Sequence, residues 1–288
     1  LEDLGYDLND NLWTAKLLND HPEALIKAHL EYIKAGATCI TTASYQASIT
    51  GLIEAGYSKD KAQELIKKSV ILVQKAIQTA LDLKIIDTRP LIAGSIGPYG
   101  AYLADGSEYH GNYAVTDSEL IDFHVKRIEI LDQSGVDLLA CETIPSFQEA
   151  KILSELLKKT NNPAWISFTC NDESYIRDGS EIKKCISIFK NHPKVFAVGV
   201  NCTHPSYISD IIHTLKHTNT NKKIIIYPNS GELYEPKTKT WIQCSETSHF
   251  TDLAQKWLDL GADIIGGCCR IGPNNIKYLH NLINYKNS

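Results

Sequence analysis

The chain has 288 residues, with 29 lysines and arginines against 34 aspartates and glutamates for a net charge of −5. That length holds a full-sized α/β core, and the acidic balance argues against a nucleic-acid partner or an anionic membrane surface. No apolar run reaches the ~20 residues of a membrane span and no secretory signal pattern opens the chain. Eight cysteines in a chain this long read as free thiols of a reducing cytoplasm rather than as a disulfide framework. There is no methionine, even at position 1, so either a piece of chain precedes Leu1 or methionines have been replaced.

Short β-branched runs alternate with amphipathic helical stretches from end to end. A helix over 21–35 comes first. Its Leu25, Ile26, Leu30 and Ile33 recur at helical spacing, and Gly36 stands at the C-terminal stop. Strand 37–45 (ATCITTASY) follows, then helix 59–83, strand 90–97 (PLIAGSIG), helix 117–134, strand 137–143 (DLLACET) and helix 146–159. Strand 164–170 (AWISFTC), helix 181–191, strand 195–202 (VFAVGVNC) and helix 207–217 continue the pattern. Strand 223–230 (KIIIYPNS), helix 249–260, strand 262–269 (ADIIGGCC) and helix 274–285 complete it. The joins IKAGAT and LDLGAD repeat one device, a helix end, a glycine and the next strand.

Seven strands and eight helices, helix first, predict a (β/α)8 TIM barrel whose first strand is absent from this chain, as one domain over residues 1–288. The rival is an open doubly wound sheet, but no G-x-G-x-x-G or Walker pattern follows any strand. Two long insertions, GAYLADGSEYHGNYAV and SGELYEPKTKTWIQCSET, follow strands, where a barrel builds its active site.

Cys202 ends one strand and the vicinal pair Cys268 and Cys269 ends another, so a barrel would bring three thiols to its mouth. Three thiolates with an open fourth position suit Zn2+. The alternative is structural cysteines or a vicinal dithiol that oxidises, since C-x2-C spacing is absent. Cys39, Cys141 and Cys185 read as core or helix-face residues, Cys170 lies at a strand end, and Cys244 falls in a loop. His213 and His217 (HTLKH) have i, i+4 spacing but lie on an outer helix and read as solvated. His204, two residues past Cys202, is the histidine nearest the predicted mouth in sequence.

VGVNC and GGCCR, around these thiols, resemble the zinc signature of the homocysteine S-methyltransferase family, over essentially the whole chain. TTASYQAS, GSIGPYGAYLADGSEYHGNY, LLACETIP and YPNSGELY resemble the branch using S-methylmethionine or S-adenosylmethionine as donor, rather than betaine. The resemblance implies a homocysteine-binding TIM barrel that forms methionine, with Cys202, Cys268 and Cys269 on zinc. Its partners would be homocysteine and a sulfonium methyl donor, with no nucleic acid and no membrane; monomer and homo-oligomer are equally compatible. Family members also begin with a strand ending in an Asp-Gly-rich turn that helps hold homocysteine, and this chain does not contain that turn.

Metal-bound thiols are deprotonated, so such a site would deliver homocysteine as thiolate, and three cysteinates over-neutralise the ion so that a fourth sulfur stays nucleophilic. Glu142 ends its strand and is expected to meet the α-ammonium of homocysteine. Ser44, Asn201, Asn229 and Ser230 are polar strand-end candidates for its amino-acid groups. Tyr45, Tyr99 and Tyr102 are candidates to face the sulfonium. Rival readings are the same fold with betaine as donor, or a non-catalytic vicinal-thiol redox or metal-binding protein.

Overall fold

The computed structural model describes residues 1, 4–6, 12, 14–218, 221–231, 233–235, 240–242 and 250–287. Its strands are β1 (Cys39–Thr41), β2 (Leu91–Ile96), β3 (Leu138–Ile144), β4 (Ala164–Phe168), β5 (Val195–Asn201), β6 (Lys223–Tyr227), β7 (Leu233–Glu235), β8 (Thr240–Ile242) and β9 (Ile264–Ile265). β1 to β6 and β9 pair in chain order, all parallel, as one curled seven-stranded, TIM-barrel-like sheet. β7 and β8 form a separate antiparallel hairpin. The helices are α1 (Thr14–Asp20), α2 (Pro22–Lys34), α3 (Ile49–Glu54), α4 (Lys59–Asp82), α5 (Tyr99–Leu103), α6 (Asp117–Asp132), α7 (Phe147–Leu157), α8 (Ile182–Ser187), α9 (Ile208–His217), α10 (Phe250–Leu260) and α11 (Pro273–Asn287). None of the described helices is long and apolar enough to cross a membrane.

The period-2 alternation of the strands sorts their side chains onto two faces. Ile92, Ile96, Leu139, Cys141, Ile166, Phe168, Val198, Val200, Ile224 and Ile226 face the helices in one large apolar cluster. There α4 alone buries Leu65, Ile66, Val70 and Val73, each worth about 1.5–3 kcal/mol against exposure. The opposite face carries a smaller cluster of Ala93, Leu138, Ala140, Trp165, Ala197, Ile225 and Tyr227. Its alanines Ala93, Ala140 and Ala197 sit where neighbouring strands crowd: a Cβ on Gly199 of β5 would run into the Ile225 carbonyl of β6.

Three elements fall furthest short of the spans their sequence predicts. The run 37–45 keeps ladder pairing only over Cys39–Thr41, because side chains then take over the backbone's partners. The Thr42 hydroxyl oxygen accepts from the Ser95 amide at 3.0 Å, and the Ser44 hydroxyl donates to the Ser95 carbonyl at 2.7 Å. β9 stops at Ile265, where Gly266 and Gly267 lead the chain away from the regular ladder. Its backbone stays tied to β6 through Gly266 N to Ile226 O and Cys268 N to Pro228 O, both 2.9 Å. α8 ends at Ser187, and the predicted remainder closes as i to i−3 turns ahead of Pro193. The short helices α1, α3 and α5 had no counterpart in the sequence reading.

The strand beginnings are fastened by a repeated device. Asp137, just before β3, donates its amide to the Ile92 carbonyl and accepts the Ile92 amide on its carboxylate at 2.7 Å. Asp263, just before β9, does the same to Ile224 at 2.8 Å. Arg89 adds a two-pronged pair to Asp137 at 3.1 and 2.9 Å.

Candidate active site

At the C-terminal ends of the strands the backbone departs from regularity where side chains must turn inward. The β3–β4 register shifts between Cys141 and Ile144, and Thr143 has φ +61°. This bulge turns consecutive residues Glu142 and Thr143 toward the inner side. Cys202 (φ +49°) and Arg270 (φ +66°) are two more non-glycine residues in left-handed backbone, beside or within the thiol cluster. Such conformations cost about 1 kcal/mol or more each and persist where the surrounding structure imposes them.

The three predicted thiols converge. Cys202 Sγ lies 3.7 Å from Cys269 Sγ, Cys268 Sγ lies 4.0 Å from Cys269 Sγ, and all three sulfurs are within 4.8 Å of one another. A tetrahedral ion with metal–sulfur bonds of about 2.3 Å needs sulfur–sulfur edges of about 3.8 Å, so the spacing and the soft donor set fit one such ion. Hydrogen bonds from the Cys202 and Cys269 thiols hold Cys268 well below its ordinary pKa. The contact with Cys268 pushes Cys202 well above its ordinary value, and the contacts with Cys202 and Cys268 push Cys269 well above its own. By contrast, burial raises Cys39, Cys141, Cys170 and Cys185 to about 12, which makes them inert as nucleophiles. Cys244 lies outside the described residues.

Asn201 braces the cluster. Its side-chain oxygen accepts from the Thr143 amide and the Ser167 hydroxyl, both at 2.7 Å. Its nitrogen donates to the Thr143 hydroxyl at 2.7 Å and toward Cys268 Sγ at 3.8 Å. All its hydrogen-bonding capacity is thus engaged by the protein, with the sulfur contact facing the site. Glu142 is buried, accepts from the Ser95 hydroxyl, and also meets the Tyr227 hydroxyl. Burial raises its pKa to about 7. Ser44 is fully committed to Thr42 and the Ser95 carbonyl. Ser230 donates its amide to the Cys269 carbonyl at 3.1 Å, and Asn229 keeps a buried side-chain oxygen with no hydrogen-bond partner among the described residues.

The aromatic residues divide. Tyr45 is half-buried near the thiols, hydrogen-bonds Thr143 through its side chain, and lies over Gly97, where a Cβ would sit 2.5 Å from the Tyr45 carbonyl oxygen. Tyr99 packs against Tyr102, Tyr113 and Phe123 with ring centroids 5.0–5.5 Å apart, and the Tyr102 hydroxyl donates to Glu54 at 2.8 Å. Tyr109, which the sequence reading did not single out, hydrogen-bonds Cys202 and carries Arg177 over its ring at 5.4 Å. Its only sequence signal was its place in the insertion after β2. His204 accepts the Ser206 amide at 3.3 Å as the cap of a short turn. His213 and His217 are exposed, and His217 Nδ1 donates to the His213 carbonyl at 2.6 Å.

Behind this rim sits a fully buried polar centre. Glu149 accepts from the Tyr99 amide at 2.6 Å, His124 Nε2 at 2.7 Å and the Tyr113 hydroxyl at 3.1 Å. Arg127 donates to the Gly97 carbonyl at 2.6 Å, the Tyr45 carbonyl at 3.3 Å and His124 Nδ1 at 3.0 Å. Arginine cannot accept, so His124 is the neutral Nε2–H tautomer. This centre fixes the backbones that carry Tyr45 and Tyr99.

The homocysteine S-methyltransferase family matches residues 1–283. The chain belongs to that family. It is 46% identical over 281 residues to homocysteine S-methyltransferase YbgG of Bacillus subtilis, covering 96% of this chain and 89% of the relative. It is 42% identical to homocysteine S-methyltransferase 2 of Arabidopsis thaliana, covering 96% and 87%. The metallated form of the homocysteine methyltransferase MmuM of Escherichia coli superposes with a TM-score of 0.87 at 38% identity, covering 98% of this chain and 92% of that one.

Proposed function

We propose that this member transfers a methyl group from a sulfonium donor, S-methylmethionine or S-adenosylmethionine, to the thiol of homocysteine. The observation that carries the reading is the convergence of Cys202, Cys268 and Cys269 at a spacing suited to one tetrahedral zinc ion. Bound there, zinc would favour the deprotonated form of an incoming thiol at neutral pH. The protein's own groups do the rest. Asn201 holds Cys268 in place, and Glu142 pairs as carboxylate with the α-ammonium of homocysteine. Asn229 Oδ1, which has no donor among the described residues, accepts a further hydrogen bond from the amino acid, and Tyr45 and Tyr109 wall the cluster. The methyl carbon passes in line: its bond to the sulfonium breaks with the electron pair returning to that sulfur, and a new bond forms to the homocysteine sulfur. With S-methylmethionine the products are two methionines and the proton of the original thiol. Holding both sulfurs in line supplies much of the rate.

We read residues 1–288 as one domain, a (β/α)8 barrel to which another strand would contribute, working in a reducing compartment such as the cytoplasm. The test is a methyl-transfer assay with homocysteine and S-methylmethionine, S-adenosylmethionine or betaine, beside metal analysis. Transfer from a sulfonium with zinc near one per chain is expected. Metal-free protein with two titratable vicinal thiols and no transfer would replace the reading with the redox one.

A further inference from the structure

Building on the methyl-transfer reading, the donor brings two amino-acid features to the site: a sulfonium that reacts and an α-ammonium that does not. They call for different partners. The sulfonium loses its charge in the transition state, so a carboxylate paired with it would stabilise the ground state more and slow transfer. Aromatic faces hold it more weakly. The α-ammonium keeps its charge throughout, and a carboxylate there strengthens binding without opposing the chemistry. Glu142 is taken by homocysteine, so the donor needs another.

Glu108 has the required properties. It sits in the 3-10 turn Ser107–Tyr109, in the insertion after β2. Its Oε2 is enclosed and has no hydrogen-bond partner among the described residues. Burial raises its pKa to about 7; a hydrogen bond from its own backbone amide offsets part of that rise, and the acidic Asp105 adds to it. An enclosed carboxylate without a cation is costly to keep charged, and a cationic ligand removes that cost.

The location also fits. Tyr109, the next residue, reaches Cys202, and the Glu108 charge is felt by both Tyr45 and Tyr109. The turn is pinned by the Ser107 amide donating to Asp105 at 2.9 Å. It packs on α5 so closely that a Cβ on Gly100 would sit 2.5 Å from the Glu108 nitrogen. Against the same helix, Gln46 donates to the Ala101 carbonyl at 3.0 Å, which leaves its Oε1 as a second enclosed acceptor without a partner among the described residues. An ammonium supplies the several N–H donors that these acceptors lack.

We infer that Glu108, helped by the Gln46 side-chain oxygen, binds the α-ammonium of the sulfonium methyl donor. The test compares S-methylmethionine with the same dimethylsulfonium carboxylic acid lacking the amino group, using zinc-loaded wild type and Glu108→Gln. Wild type should prefer S-methylmethionine in kcat/KM by roughly ten- to hundredfold, the range a charge-assisted hydrogen bond is worth. Glu108→Gln should lose that preference through donor KM, with kcat and homocysteine KM within about threefold of wild type. Titration calorimetry with S-methylmethionine should show the same loss without turnover, and Glu108→Asp should keep part of the preference. A variant that retains the full preference, or that raises the homocysteine KM instead, overturns the assignment while leaving the methyl-transfer reading intact. Wild type that moves no methyl from either sulfonium overturns both.

Discussion

The two ends of the sheet handle polar groups in opposite ways. At the strand beginnings, Asp137 and Asp263 each hold a neighbouring strand by an amide and a carboxylate contact, and Arg89 completes Asp137. At the strand ends, Gln46, Glu108 and Asn229 each keep an enclosed acceptor without a partner among the described residues, and three thiols crowd together. Enclosed acceptors are normally satisfied within a protein, so their concentration at one end marks where a ligand supplies donors. The Arg127–His124–Glu149 centre lies behind that rim, and there most polar atoms are paired within the protein, with Arg127 Nε the exception.

Cys268→Ala should break the contrast most sharply. Turnover is expected to fall at least about a thousandfold because the nucleophile can no longer be generated there, and bound zinc should drop toward zero per chain. Cys268 is only half-buried, so urea unfolding should shift by less than about 1 kcal/mol. Metal retained together with a large loss of stability would assign this thiol to the scaffold instead.

Glu142→Gln tests whether a group of the functional end is held there at the expense of the fold. Burial lifts the Glu142 carboxyl to about 7, above the ~4.3 of an unfolded chain. The native state therefore binds more protons than the unfolded state between those values, and stability declines as pH rises from ~4.3 through about 7. The decline amounts to up to about 4 kcal/mol. In the variant that slope should vanish, leaving it more stable than wild type at pH 8. Its homocysteine KM should rise roughly ten- to fiftyfold for loss of one charged hydrogen bond, more than kcat falls. Denaturation between pH 5 and 8 and steady-state kinetics check the two halves, and an unchanged KM would remove Glu142 from the ammonium.

Much of this division was legible in the sequence. The β-branched runs and the glycine-marked joins located the sheet, and VNC and GGCC stood where parallel strands end, so the meeting of Cys202 with Cys268 and Cys269 followed from topology. What stayed hidden depends on backbone irregularity or on contacts distant in sequence. Nothing local announces the bulge that brings Thr143 beside Glu142, or the turn that carries Tyr109 to Cys202. Ser44 and Asn201 looked like free polar ends, yet their hydrogen bonds are taken by Ser95, Thr143 and Ser167, residues that alternation alone leaves anonymous. Gln46, Glu108 and Asn229 gain meaning only from the partners they lack.

Asp137→Ala probes the opposite end, where the smallest effect is expected. The substitution removes the carboxylate that receives the Ile92 amide and the paired contact with Arg89. The backbone bond from Asp137 N to Ile92 O remains. Part of the released amide's demand is met by water, and the Arg89 pair is largely exposed, so the loss should be about 1–2 kcal/mol in urea unfolding. Since β2 and β3 carry Ser95 and Glu142 several residues further along, a rigid sheet should insulate the thiols from the change, with kcat and both KM values within about twofold. Kinetic damage comparable to that of Glu142→Gln would mean that strand register at the beginning of β3 is transmitted to its end, and that the two rims are coupled rather than independent.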